Sequence, residues 1–186
     1  MLVGLANPGP EYANTRHNAG AWFIEQLAAR YNCTLKHDPK YHGLTGKVII
    51  QGQEFKLLIP TTYMNLSGKA VSSLANFFKI PVENILVAHD EMDLEPGVAK
   101  LKKGGGHGGH NGLKDIQAQL KTVGYPRFRF GISNEFSKGR QVDYVLGEWS
   151  EEEESQMKER LDTSVELIKS FGTAGVSITM NTFNGK

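Results

Sequence analysis

Cysteine is almost absent. Cys33 is the single one in 186 residues, which excludes an internal disulfide framework and fits a reducing compartment. It falls at the end of a predicted helix with no second thiol to share a metal, and is read as structural. Long apolar runs are also missing: none approaches the roughly 20 residues that span a bilayer. The first residues run directly into a predicted strand with no charged leader or cleavage site ahead of it. A cytoplasmic protein without a membrane partner is expected. No repeat, low-complexity tract or linker divides the chain, so residues 1–186 are expected to form one domain. There is no Gly-x-Ser-x-Gly elbow, and Cys33 lies outside every polar cluster. Without a serine or cysteine nucleophile, direct attack by an activated water is simpler than a covalent intermediate.

Net charge is nearly absent too, at +1, but its distribution is uneven. Residues 97–141 hold nine basic side chains (Lys100, Lys102, Lys103, Lys114, Lys121, Arg127, Arg129, Lys138 and Arg140) against only Asp115 and Glu135. The stretch that follows is acidic, with Asp143, Glu148 and Glu151 to Glu154. A basic half-face suits contact with a polyanion. On charge alone, a solvated surface of mixed sign is an equally good reading.

Apolar spacing predicts strands at residues 2–7, 85–89, 98–102 and 128–133, and a hairpin from 47–51 and 55–60 around Gly52-Gln53. Helical spacing predicts helices at 21–31, 68–79 and 113–120. Ser150 followed by four glutamates is a strong helix start, because a hydroxyl cap and first-turn carboxylates satisfy free amides and the helix dipole. Met157, Leu161, Val165, Ile168 and Phe171 give that helix a core-facing stripe. Alternating strands and helices imply an α/β fold: a twisted mixed, mostly parallel sheet with an antiparallel edge and helices on both faces. Sites in such folds collect beyond the carboxyl ends of the strands.

Four polar clusters carry chemistry. In the first, Asn7-Pro8-Gly9 leads to His17 just before a helix. An imidazole titrating near neutrality suits a general base, although a histidine standing alone more often caps or packs against its helix. The second, residues 60–68, contains Tyr63 and Asn65; Ser67 can fill the N-cap, which leaves Asn65 free to face a substrate. The third, His89-Asp90-Glu91-Met92-Asp93, ends a strand. A carboxylate there can fix a histidine tautomer; a metal site is the weaker reading, because the nearest histidine cluster is glycine-bound and has no recognisable ligand spacing. The fourth, residues 104–112, has six glycines around His107, His110 and Asn111 and leads into a helix. Close backbone approach to a ligand and free helix amides favour a binding loop. It matches neither a Walker loop nor a clean dinucleotide fingerprint.

Taken together and in order, these clusters resemble the bacterial peptidyl-tRNA hydrolase family. The matching stretches are GLANPGPEYANTRHNAG at 4–20, PTTYMNLSGKA at 60–70, HDEMDLEPG at 89–97 and GGGHGGHNGLKDI at 104–116. The resemblance covers nearly the whole chain and is weakest after Gln141. It implies a hydrolase that cuts the ester between a peptide and the terminal ribose of tRNA, recycling tRNA from prematurely released peptidyl-tRNA. By the same resemblance, His17 is the catalytic base, Asp90 its orienting carboxylate, and Asn7 the residue that tells blocked from free aminoacyl groups. Asn65 and Asn111 are implied to bind substrate, Tyr12 and Tyr63 to contact tRNA, and His110 to influence access or water placement. Lys102 and Arg129 resemble residues that clamp tRNA phosphate. No cofactor, no metal and a monomer are expected. The competing expectation is a non-catalytic RNA-binding or splicing-partner protein of the same fold.

Overall fold

Strand β1 (Leu2–Gly4) sits in the middle of a seven-stranded sheet, and its neighbours come from distant parts of the chain. The computed structural model describes residues 1–184. After β1 come helix α1 (Ala19–Arg30), β2 (Lys36–Asp38), β3 (Gly43–Ile50), β4 (Gln53–Pro60), α2 (Ser67–Phe77), β5 (Leu86–Glu91), β6 (Ala99–Lys102), α3 (Asn111–Leu120) and β7 (Arg127–Gly131). Helices α4 (Gln141–Val145), α5 (Glu151–Glu159), α6 (Leu161–Ala174) and α7 (Val176–Phe183) complete the described chain. The strand order is β2-β3-β4-β1-β5-β7-β6. The four central strands β4, β1, β5 and β7 are mutually parallel, with β2-β3-β4 antiparallel at one edge and β6-β7 antiparallel at the other. The expected α/β architecture is present, with antiparallel pairing at both edges rather than one.

Alternation along the central strands divides the core. Leu2, Leu57, Leu86, Ala88, Phe128 and Phe130 pack with α1 and α6, while Val3, Leu5, Leu58 and Val87 pack with α2 and α3. Each of these leucine, valine and phenylalanine side chains contributes about 1.5–3 kcal/mol on burial. The β3-β4 turn is Gln51-Gly52, one residue earlier than expected. Both residues have positive φ, 51° and 79°, and Ile50 pairs with Gln53, as a two-residue turn matched to strand twist requires. Strand β2 was not expected, because Lys36-His37-Asp38 is a polar edge with no alternation to read. The single C-terminal helix expected from the Met157–Phe171 stripe is two helices, α5 and α6, broken at Arg160; Met157, Val165, Ile168 and Phe171 are buried.

Ser67 is not the N-cap of α2. Its hydroxyl bonds back to the Met64 carbonyl at 2.7 Å, and the free Gly68 amide is capped by Asp115 Oδ2 of α3 at 2.7 Å. Cys33 is a half-buried free thiol packed against the core.

Candidate active site

Because β4, β1, β5 and β7 are parallel, their carboxyl ends open on one edge of the sheet, where three of the polar clusters follow. Asp90 lies near the end of β5, so burial of that strand carries its carboxylate inside; the side chain is 3% exposed. His17 sits in a 3-10 turn, Arg16–Asn18, which runs directly into α1. The start of α1 lies against β1: a Cβ on Gly4 would fall 2.4 Å from the Gly20 carbonyl oxygen. Only glycine permits that approach.

His17 and Asp90, 73 residues apart, meet there. His17 Nδ1 lies 3.0 and 2.9 Å from the two Asp90 oxygens. Acceptance by the carboxylate places the proton on Nδ1 and leaves Nε2 with a free lone pair. Burial works against the imidazolium, but the Asp90 charge and hydrogen bond outweigh it, so the His17 pKa is above its ordinary value. Burial likewise opposes the Asp90 charge, yet His17 and His110 hold that carboxyl far below the usual carboxylate range.

His110 is the second donor to Asp90, with Nε2 at 2.8 Å from Oδ1. Its Nδ1 accepts the Gly112 and Leu113 amides at 3.1 and 3.4 Å and so caps α3. A ring nitrogen that accepts backbone N–H cannot carry a proton, so His110 is the neutral tautomer protonated on Nε2. His89, fully buried beside it, has its pKa pushed down to about 3, chiefly by burial, and is neutral.

The ligand atoms of His17, Asp90 and His110 lie within 4.8 Å of one another, the spacing of a metal group. His110 does not fit such a role. Ligation through Nε2 would require the proton to move to Nδ1, where two amides already point. The donor set suits an orienting carboxylate held by two imidazoles better than a cation site.

A cleft of about 180 Å³ opens on this triad. Its walls include His17, Asp90, His110, Asn111, Lys102 and Arg129, so six of the sequence-derived residues converge. Arg129 also stands 3.7 Å from Glu91. Asn7 does not itself line the cleft; its backbone is bonded to Asn18, the neighbour of His17, and its Oδ1 accepts the Met64 amide at 2.7 Å, which leaves its NH2 as the free end. Asn65 and Asn111 are exposed, and their side chains hold no hydrogen bond to the protein among the described residues. Asn65, Tyr12 and Tyr63 do not line the cleft; Tyr63 is 58% exposed and Tyr12 half-buried.

Several structural partners had escaped the sequence reading. Asn18 clamps the Asn7 backbone from both sides, accepting its N–H at 2.9 Å and donating to its carbonyl at 3.0 Å. Arg127, counted within the basic half-face, is buried. It donates to the Gly106 and Val123 carbonyls at 2.6 and 3.1 Å and stacks on Tyr125, so it anchors the glycine loop instead of facing solvent. That loop bends through positive φ at Gly105, Gly108 and Gly109. Alternation along Arg127-Phe128-Arg129-Phe130 sets the arginines opposite the phenylalanines and so gives no signal that Arg127 is buried.

The family model for peptidyl-tRNA hydrolase matches residues 1–186. A peptidyl-tRNA hydrolase of Pseudoalteromonas translucida is 69% identical over 97% of this chain and 94% of its own. One from Vibrio cholerae is 53% identical, covering 97% of this chain and 93% of its own. The crystal structure of peptidyl-tRNA hydrolase from Acinetobacter baumannii superposes with a TM-score of 0.93 at 49% identity, over 98% of this chain and 93% of that one. A match of this extent in motif, length and fold leaves one assignment: the chain belongs to the peptidyl-tRNA hydrolase family.

Proposed function

We propose that this hydrolase cuts the ester joining a peptide, or an N-blocked amino acid, to the 3′-terminal ribose of tRNA, and so recycles tRNA from prematurely released peptidyl-tRNA. The observation that carries the mechanism is His17 Nδ1 at 2.9 Å from Asp90, which leaves Nε2 basic at the wall of the cleft. Nε2 takes a proton from water as the water oxygen attacks the ester carbonyl. Asp90 stabilises the imidazolium that forms. The imidazolium then returns the proton to the leaving ribose oxygen. A positioned base of this kind accelerates attack by about 10²–10⁴-fold.

The Asn7 NH2, freed by the Met64 contact, is a donor for the substrate's acylated nitrogen side. Asn65 and Asn111 supply unpaired amides for the substrate and its oxyanion. Tyr12 and Tyr63 offer rings for the terminal bases. Lys102 and Arg129, on the antiparallel β6-β7 edge, neutralise phosphate, while His110 holds Asp90 and borders water entry. Water is the nucleophile, so the reaction calls for no cofactor. The chain is proposed to act as one domain and a monomer in the cytoplasm; among the described residues no helix is long and apolar enough to cross a membrane.

The test is release of labelled peptide from N-blocked aminoacyl-tRNA, run beside the unblocked form. Turnover of the blocked form, lost in His17→Ala while tRNA binding survives, is the expected result. Binding without turnover in the unaltered protein would overturn it in favour of a non-catalytic RNA-binding role.

A further inference from the structure

The turn that presents His17 is held from two sides. On the inside is the His17–Asp90 contact. On the outside, Arg16 donates from Nε to Glu153 Oε2 at 3.0 Å and from Nη2 to Oε1 at 2.9 Å. Its Nη1 donates to the Tyr144 carbonyl at 3.0 Å, and the guanidinium lies 4.3 Å from the centre of the Tyr144 ring. The backbone joins in. Arg16 N–H donates to the Gly147 carbonyl at 3.0 Å, Trp149 N–H donates to the Asn14 carbonyl at 3.1 Å, and Thr15 and Glu148 form an antiparallel bridge. The three residues ahead of His17 are therefore edge-paired to residues 147–149.

This outer grip is itself rigid. Glu153 is the N3 residue of the α5 capping box, accepting the Ser150 amide at 3.1 Å and donating its own amide to Ser150 Oγ at 3.1 Å. A Cβ on Gly147 would fall 2.7 Å from Arg16 Nη1 and 3.1 Å from the Tyr144 carbonyl oxygen, so it would push the guanidinium off the partners that hold it. The Arg16 and Glu153 side chains are 16% and 12% exposed, and bidentate charge-assisted pairing at that depth is stronger than a surface ion pair. Neither residue lines the cleft.

We propose that Glu153, acting through Arg16, is a positioning residue for His17: the ion pair sets the depth of the turn at which the imidazole meets Asp90. The proposal rests on the reading of His17 as the base. Arg16 and His17 are consecutive and reach opposite partners, so release of the outer partner lets the turn roll and lengthens the inner contact. A misplacement of about 1 Å can cost about 10²-fold in rate. Burial opposes the Glu153 charge, but the Arg16 hydrogen bonds keep its carboxyl below the ordinary range, so the pair is ionised throughout the neutral range. The groups facing the His17 ring are Asp90 and, at 4.8 Å between centroids, His110.

Glu153→Gln and Gly147→Ala test this, each assayed on N-blocked aminoacyl-tRNA for kcat, KM and the acid limb of kcat, with unfolding midpoints measured alongside. The expected result is a folded protein whose kcat falls about tenfold while KM stays within about twofold. The acid limb should move to lower pH, because His17 loses part of the Asp90 charge. A folded Glu153→Gln with unchanged kcat and acid limb overturns the proposal, as does a loss matched by the unfolded fraction. His17→Ala is the control: if it retains turnover, the base reading itself fails, whereas its inactivity beside a normal Glu153→Gln removes only the positioning role.

Discussion

Gly20, in the first turn of α1, lies so close to Ala88 of β5 that a Cβ at residue 20 would fall 2.0 Å from the Ala88 carbonyl oxygen. Asp90 is two residues beyond Ala88 and His17 three before Gly20, so this backbone contact fixes the frame in which base and carboxylate meet. Gly20→Ala should force helix and strand apart, lowering stability by about 1–3 kcal/mol or more. Urea unfolding and ester hydrolysis together check it: a stable, fully active Gly20→Ala enzyme would show that the contact does not set the site.

The pH profile should follow His17. Its base form is the neutral ring, so activity is lost as pH falls through its pKa, which the Asp90 charge raises despite burial. The acid limb is therefore expected above the ordinary histidine value of about 6.5. Asp90→Asn removes the raising influence, so the limb should move down in pH while kcat falls by about 10²–10⁴-fold. A limb that stays in place would show that another group titrates.

His110 has two separable jobs, capping α3 and donating to Asp90. His110→Ala should lose both, with about 1 kcal/mol of stability gone from the missing cap. His110→Asn keeps a good capping acceptor but a shorter reach, so its unfolding midpoint should recover while its kcat does not. Equal recovery of both would mean that the Asp90 contact is dispensable.

Lys102 and Arg129 should differ from Arg127 in salt dependence. Each loss among the first two should weaken tRNA binding and flatten the log affinity against log salt slope by about 0.9 per phosphate contact. Arg127→Met should leave that slope alone and instead lower stability by about 1–3 kcal/mol, as carbonyls of the glycine loop lose their donor. Filter binding across salt concentrations and thermal unfolding separate the two behaviours. A flattened slope in Arg127→Met would return that side chain to the RNA face.

Much of the fold was legible because its information is local. Periodicity marked α1, α2, α3 and the central strands to within a few residues, and Ser150 with its glutamates marked the start of α5. Strand β2 was illegible, since a polar edge strand is defined by its partner Gly43–Ile50 and not by its own pattern. The break at Arg160 was equally hidden, because both helices continue one apolar stripe.

The sequence by itself determined which chemistry was on offer: an imidazole, a carboxylate at a strand end, free amides, a glycine loop, and no thiol or serine nucleophile. Tertiary structure alone decided how those groups are used. Covalent spacing says nothing about distance across 73 residues, so the 2.9 Å His17–Asp90 contact exists only once α1 is pressed onto β5. A residue count cannot tell a buried charge from a solvated one, which is why Arg127 belongs to the loop and not to the basic face. The proton on His110, too, is placed by the two backbone amides that the helix start aims at its other nitrogen.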